Sequence, residues 1–167
     1  AFNIINGKEV SSDLKEDIVS PHLNSNKIGS AFFANKEILN EALINLESYE
    51  LTWKNYDSSK RIEIIQNFAD LIELNYENLV EACVKEAGKT INDSIADIRE
   101  AIDFCRYYSV IAKKLFQEIE LPGPTGEINK YKFKGKGLSV VISPWNFPIA
   151  IFTGQLVAAL ITGNVVC

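Results

Sequence analysis

Between an apolar run ending at Ile142 and a second one beginning at Ile149 lie Ser143, Pro144, Trp145, Asn146, Phe147 and Pro148. Proline locks φ, so Pro144 and Pro148 restrict the backbone of the three residues between them. An asparagine held this way presents an uncharged N–H donor in a set direction. That property suits the stabilisation of an oxyanion that forms only in a transition state. Asparagine is also a good helix N-cap, and spacing alone leaves both roles open for Asn146. Trp145 and Phe147 read first as packing residues.

The other reactive side chains are few. Cys83, Cys105 and Cys167 are odd in number and widely spaced, and His22 is the only histidine. No Cys-x-x-Cys occurs, which argues against a zinc site or a disulfide framework and for a reducing, cytoplasmic compartment. Cys83 and Cys105 fall on apolar stripes and read as small buried hydrophobes. Neither has a histidine or an evident cationic pocket to generate a thiolate.

The elements that must position Asn146 can be read from periodicity. Residues 1 to about 35 show little of it and read as irregular coil with short strands. A first helix is expected over 36–46 from Ile38, Leu39, Ala42, Leu43 and Leu46. A second is expected over 58–88, where Ile64, Ile65, Phe68, Leu71, Ile72, Leu79, Val80 and Cys83 mark one face and Gly88 gives the stop. Thr90 caps a third over 90–118, with Ile91, Ile95, Ile98, Ile102, Cys105, Ser109 and Ala112 at steps of three and four. These long helices have apolar stripes that must pack on one another and on a sheet.

LPGPTGE, residues 121–127, then breaks helical order. After it, Ile128, Tyr131 and Phe133 alternate with Lys130, Lys132 and Lys134, as in a strand with one wet face. GLSVVIS, residues 137–143, is apolar on both pleat faces, the pattern of a strand inside a parallel sheet. Residues 147–161 follow as a buried helix with Pro148 in its first turn, and residues 164–167 begin another strand. Strand, helix and strand in this order form a βαβ unit, and ligands bind just beyond the carboxyl ends of such strands. Residues 143–147 occupy that position. The class is therefore α/β, long helices followed by the start of a parallel Rossmann-type sheet.

Composition excludes several other classes. The 167 residues are 47% hydrophobic and 23% charged, a globular balance rather than a disordered one. Acids outnumber bases 22 to 17 along the whole chain, so no basic stripe is present to neutralise nucleic-acid phosphates. The longest apolar run, residues 149–166, is interrupted by Thr153, Gly154, Gln155, Thr162, Gly163 and Asn164. It falls short of the roughly 20 apolar residues of a membrane span. The start AFNIINGKEV lacks the basic and apolar regions of a signal peptide. With no methionine and an uncapped apolar end at Val165-Val166-Cys167, the chain reads as a piece of a longer one.

SPWNFP followed by an apolar helix and AALITGNVV resembles the aldehyde dehydrogenase superfamily, and the match extends through EAGKTINDSIADIREAIDFCRYYS, LPGPTGE and IAIFTGQLVAAL. These flanks are most similar to the Δ1-pyrroline-5-carboxylate dehydrogenase module of bifunctional proline utilization A proteins. The resemblance implies the amino-terminal part of a dehydrogenase that oxidises glutamate γ-semialdehyde to glutamate with NAD. These residues do not by themselves separate NAD from NADP, and a bifunctional parent would carry FAD in a separate proline dehydrogenase domain. A non-catalytic assembly or cofactor-binding module of the same fold is the alternative.

By the same resemblance, Asn146 takes the oxyanion role and Ser143, Pro144 and Trp145 contact the nicotinamide cofactor. Glu100 and Phe104, one helical turn apart, approach the aldehyde channel. The family's cysteine nucleophile, glutamate base and Lys-Pro-Ala-Glu segment are expected downstream of Cys167. The implied division is residues 1–116 as the helical part of the cofactor domain, 117–136 as an oligomerisation flap, and 137–167 as the first strand-helix-strand of the NAD-binding domain. A homo-oligomer that acts on a small aldehyde is implied, with no nucleic-acid partner.

Overall fold

The computed structural model describes residues 1–167. Two hairpins open the chain. Strands β1 (Asn3–Ile5) and β2 (Lys8–Val10) pair through a two-residue turn in which Asn6 and Gly7 have φ of 49° and 73°. Asn-Gly is the pair that such a tight turn favours. Strands β3 (Lys15–Ser20) and β4 (Leu23–Phe32) form a longer antiparallel ladder with register shifts around Val19. The region is more regular than the coil with short strands that its sequence predicts. Its strands expose most of their side chains, so the alternation that marks a half-buried strand is nearly absent, and only the Asn6-Gly7 pair announces a hairpin.

Helix α1 (Lys36–Asn55) starts where the Asn35 side chain accepts a 2.9 Å bond from the Ile38 amide. It runs well past the expected end at residue 46. Its last turns are held from outside, because the Trp53 indole donates to the Leu160 carbonyl at 3.0 Å. The expected single helix over 58–88 is two, α2 (Ser58–Leu74) and α3 (Tyr76–Ala87). Asn75 separates them: its side-chain amide donates to the Leu71 carbonyl at 2.9 Å and competes with the continuing helical ladder. Gly88 ends α3 with φ of 68°, as expected of a glycine stop. Helix α4 (Ile91–Leu115) begins at Thr90, whose hydroxyl accepts from the Asp93 amide at 3.1 Å.

Strands β5 (Ile119–Leu121) and β6 (Asn129–Tyr131) make an antiparallel hairpin around the proline-glycine turn. Strands β7 (Leu138–Ser139) and β8 (Val165–Val166) are parallel, with Leu138 opposite Val165, and helix α5 (Ala150–Ile161) connects them. A βαβ unit is present as expected, with two corrections. The first strand is predicted to be apolar and buried over 137–143, but Val140 and Ile142 are 63% and 83% exposed, because in a two-stranded sheet nothing covers that face. The helix is predicted from residue 147 with Pro148 inside it. It begins at Ala150, and Phe152 on its outer face is 43% exposed.

One core unites the helices. Ile65, Ala69 and Ile72 of α2, Ile98, Ala101, Ile102, Cys105 and Ala112 of α4, and Val157 and Ile161 of α5 form a single buried cluster. The long helices do pack on one another as their stripes require. Their route to the sheet is indirect: α1 and α5 touch β8, while α2 and α4 rest on α5. Buried Arg61 pins the far end of α5, donating to the carbonyls of Ile161 at 3.1 Å and Tyr56 at 2.5 Å. No helix is long and apolar enough to cross a membrane.

Ile98 is fully buried at the centre of this cluster. Ile98→Ala should lower unfolding stability by about 2–5 kcal/mol, read as a shift in the urea midpoint with unchanged slope.

Candidate active site

The loop from Ser143 to Pro148 leaves the carboxyl end of β7 and enters α5, the position at which parallel sheets present ligand-binding groups. Its tip faces outward. Asn146 is exposed, and Trp145 is 80% exposed. The flanks of the loop are tied down by side chains from elsewhere in the fold. On the upstream side, Gln155 Nε2 donates to the Ile142 carbonyl at 3.2 Å, while Gln155 Oε1 is buried without a partner.

The downstream side is held by a charged pair. Lys89, in the turn between α3 and α4, places Nζ 3.0 Å from Asp97 Oδ2 and 3.1 Å from the backbone carbonyl of Asn146. The same ammonium sits 4.4 Å from the centre of the Phe147 ring, a cation–π contact. Asp97 has no exposed surface, and the Lys89 side chain is 10% exposed. The second oxygen of Asp97, Oδ1, accepts from the Ala150 amide at 2.7 Å. One carboxylate thereby fastens the lysine that holds the loop and satisfies the first amide of the helix that follows it.

This arrangement removes one of the two roles left open for Asn146. Ile149 stands at the N-cap position of α5 and supplies no side-chain cap, so the cap comes from Asp97 on α4. Asn146 is not a helix cap. Its backbone carbonyl accepts from Lys89, and its side-chain amide bonds nothing else in the chain. A donor held by its own backbone, with no internal partner, is available to an oxygen that arrives from outside.

The remaining site residues lie at different distances from this centre. Ser143 and Pro144 sit in the same loop, with Ser143 half-buried and its hydroxyl free of bonds within the chain. Phe104 packs against α5 at Gly154, where an added Cβ would come within 3.0 Å of the ring, and stacks on Tyr108 at 5.8 Å. Glu100 is exposed and forms no ion pair. Asp97, Glu100 and Phe104 share one face of α4 at steps of three and four, so the helix that caps α5 also carries the two channel candidates.

Lys89 and Asp97 are the residues that sequence patterns do not single out. A signal exists for Asp97, which shares the spacing of Ser94 and Ala101 on the buried face of α4, where a carboxylate needs a partner. Lys89, between the stop of one helix and the cap of the next, carries no comparable mark. Cys83 and Cys105 are not activated thiols. Burial pushes the Cys105 thiol up to about 11 and also raises Cys83, so neither is a thiolate at neutral pH. No group of three or more His, Cys, Asp or Glu side chains is placed to hold a metal ion.

The chain matches the aldehyde dehydrogenase family over residues 9–167. It is 37% identical over 163 residues to the 1-pyrroline-5-carboxylate dehydrogenase of Geobacillus thermodenitrificans, covering 98% of this chain and 32% of the relative. The Bacillus subtilis enzyme of the same name is 34% identical over 164 residues, with the same coverage. Among solved structures, proline utilization A from Bdellovibrio bacteriovorus superposes with a TM-score of 0.94 at 35% identity, over 98% of this chain and 17% of that one. The 1-pyrroline-5-carboxylate dehydrogenase from Thermus with bound NAD gives 0.93 at 32% identity, over 98% of this chain and 32% of its own. The chain spans about a third of the length of the curated relatives it matches, 32%. With the fold matched almost end to end and the SPWNFP loop at the head of its βαβ helix, the chain belongs to the aldehyde dehydrogenase family.

Proposed function

We propose that this chain is the amino-terminal part of an NAD-dependent dehydrogenase that oxidises glutamate γ-semialdehyde, the open form of Δ1-pyrroline-5-carboxylate, to glutamate. The observation that carries the reading is the Asn146 amide, anchored through its backbone and free of internal partners at the end of a parallel strand. The names of the relatives supply the substrate class.

In this reaction a thiolate adds to the aldehyde carbon and the carbonyl oxygen takes up negative charge, which the Asn146 N–H donates to. Collapse of that adduct to a thioester needs a hydride acceptor, and water then hydrolyses the thioester to the acid. Cys83 and Cys105 are too buried and too weakly acidic to be the nucleophile, and Cys167 does not match the family's nucleophile motif, so the thiolate and the base that activates water are assigned to other parts of the full-length protein. The loop residues fit a nicotinamide cofactor. Ser143 has a free hydroxyl, Trp145 offers an exposed indole face, and Pro144 stiffens the segment between them. NAD, when bound, accepts the hydride. Glu100 and Phe104 stand at the aldehyde side, with Phe104 held in place by its packing at Gly154.

Residues 1–116, two hairpins followed by α1–α4, are assigned to the helical part of the cofactor domain, 117–136 to a flap, and 137–167 to the opening of the NAD-binding sheet. The flap hairpin pairs with no other strand, and it exposes Tyr131 and Phe133, whose rings meet edge to face at 5.1 Å. An exposed aromatic pair on an unpaired strand edge suits contact with a second subunit. Three free thiols suit a reducing compartment, and the cytoplasm is the proposed location.

Three measurements test this reading. In the full-length protein, Asn146→Ala should lower kcat by about 10²–10³, followed as NADH formation from glutamate γ-semialdehyde. Asn146→Asp should be at least as damaging, because it sets a negative charge against a developing one; near-normal turnover by either variant would sink the oxyanion role. The 167-residue chain alone should form no NADH with the same substrate. Finally, Tyr131→Lys/Phe133→Lys should reduce the mass of the full-length protein in light scattering, and an unchanged mass removes the flap as the subunit contact.

A further inference from the structure

We infer that Lys89 and Asp97 are positioning residues for the Asn146 amide, an inference that rests on the oxyanion reading above. Breaking a buried ion pair is costly, but replacing the whole pair with neutral groups is commonly neutral for stability. The stability of the fold is therefore a weak account of why a fully buried carboxylate and a nearly buried ammonium meet at this loop. What the pair does supply is direction. Asp97 sits on α4, the helix at the centre of the core, and its two oxygens reach two different targets: the Ala150 amide at 2.7 Å and Lys89 Nζ at 3.0 Å. Lys89 passes that fixed point on to the Asn146 carbonyl at 3.1 Å and to the face of the Phe147 ring.

These contacts converge on one short segment. The carbonyl of Asn146, the ring of Phe147 and the amide of Ala150 are all fastened to one carboxylate, directly or through one ammonium. With the Asn146 carbonyl and the Phe147 ring fixed from the core, the Asn146 side chain carries the donor on two χ angles. Loss of the clamp frees the peptide between Asn146 and Phe147 to rotate, and the amide swings with it. The entry helix keeps its place through its packing on α4. The predicted consequence falls on the transition state, since an oxyanion donor acts there and not on the bound aldehyde.

The test is a mutant cycle in the full-length protein. Lys89→Met/Asp97→Asn removes both buried charges together, and the carboxamide oxygen that the second change leaves on α4 can still accept from the Ala150 amide, so the variant should melt at the wild-type temperature. Its kcat should fall by about 10–100-fold with KM for glutamate γ-semialdehyde little changed. In an Asn146→Ala background the same pair of changes should cost no further kcat, because the donor being positioned is already gone. An equal proportional loss in both backgrounds would overturn the positioning role while leaving the oxyanion role standing. Near-normal kcat in Asn146→Ala alone would overturn the oxyanion role and this inference with it. Should the double variant fail to fold, Lys89→Gln/Asp97→Asn, which also removes both charges but keeps a polar pair, runs through the same cycle with the same two overturning results.

Discussion

A carboxylate stripped of water must find its hydrogen bonds inside the protein, and Asp97 finds them on two elements distant in sequence. It sits on the central helix of the fold and reaches both the lysine ahead of that helix and the first amide of α5. Removing either charge alone would leave the other buried and uncompensated, a loss of about 3–5 kcal/mol for typical buried pairs. The geometry of the SPWNFP loop follows from this constraint. The loop has few apolar contacts of its own, with Trp145 and Asn146 in solvent, and its order comes from bonds to its backbone rather than from burial of its side chains.

Around that point the rest of the fold serves as a mount. Helix α4 is buried along Ile98, Ala101, Ile102 and Cys105 and packs on both α2 and α5. Gly154 lets the Phe104 ring lie directly on α5, so the two helices meet closely just beyond the site. At its other end α5 is held by the Arg61 guanidinium on the Ile161 carbonyl and by the Trp53 indole on the Leu160 carbonyl. A donor that stabilises a developing charge gains from such rigidity, because no reorganisation is then needed during the reaction.

The same division explains why Cys83 and Cys105 are not activated. Cys105 shares the buried stripe of α4 with Ile98 and Ala101, and apolar surroundings raise a thiol rather than activate it. Positions that make good cores make poor nucleophiles. The loop from Ser143 to Pro148 is where the core leaves polar and aromatic side chains exposed.

Much of this is legible in the sequence. The 3.6-residue recurrence of apolar side chains marks the α4 helix and most of α2 and α3. Gly88 and Thr90 mark their junction, and the proline-flanked Asn146 marks the site, because these depend on local chemistry within a few residues. Where the local signal is a competition, it misleads: Asn75 breaks a helix whose apolar stripe runs on, and the exposed ladders of β3 and β4 carry no stripe to see. Only the tertiary structure decided what Asn146 does not do. An asparagine before a helix caps it unless another group does so first, and that group, Asp97, lies 53 residues upstream of Ala150. Lys89 is likewise 57 residues from the carbonyl it holds. No local pattern encodes contacts of that separation, since they exist only once α4 has packed against α5 and brought a charge, its counter-ion and a loop to one point.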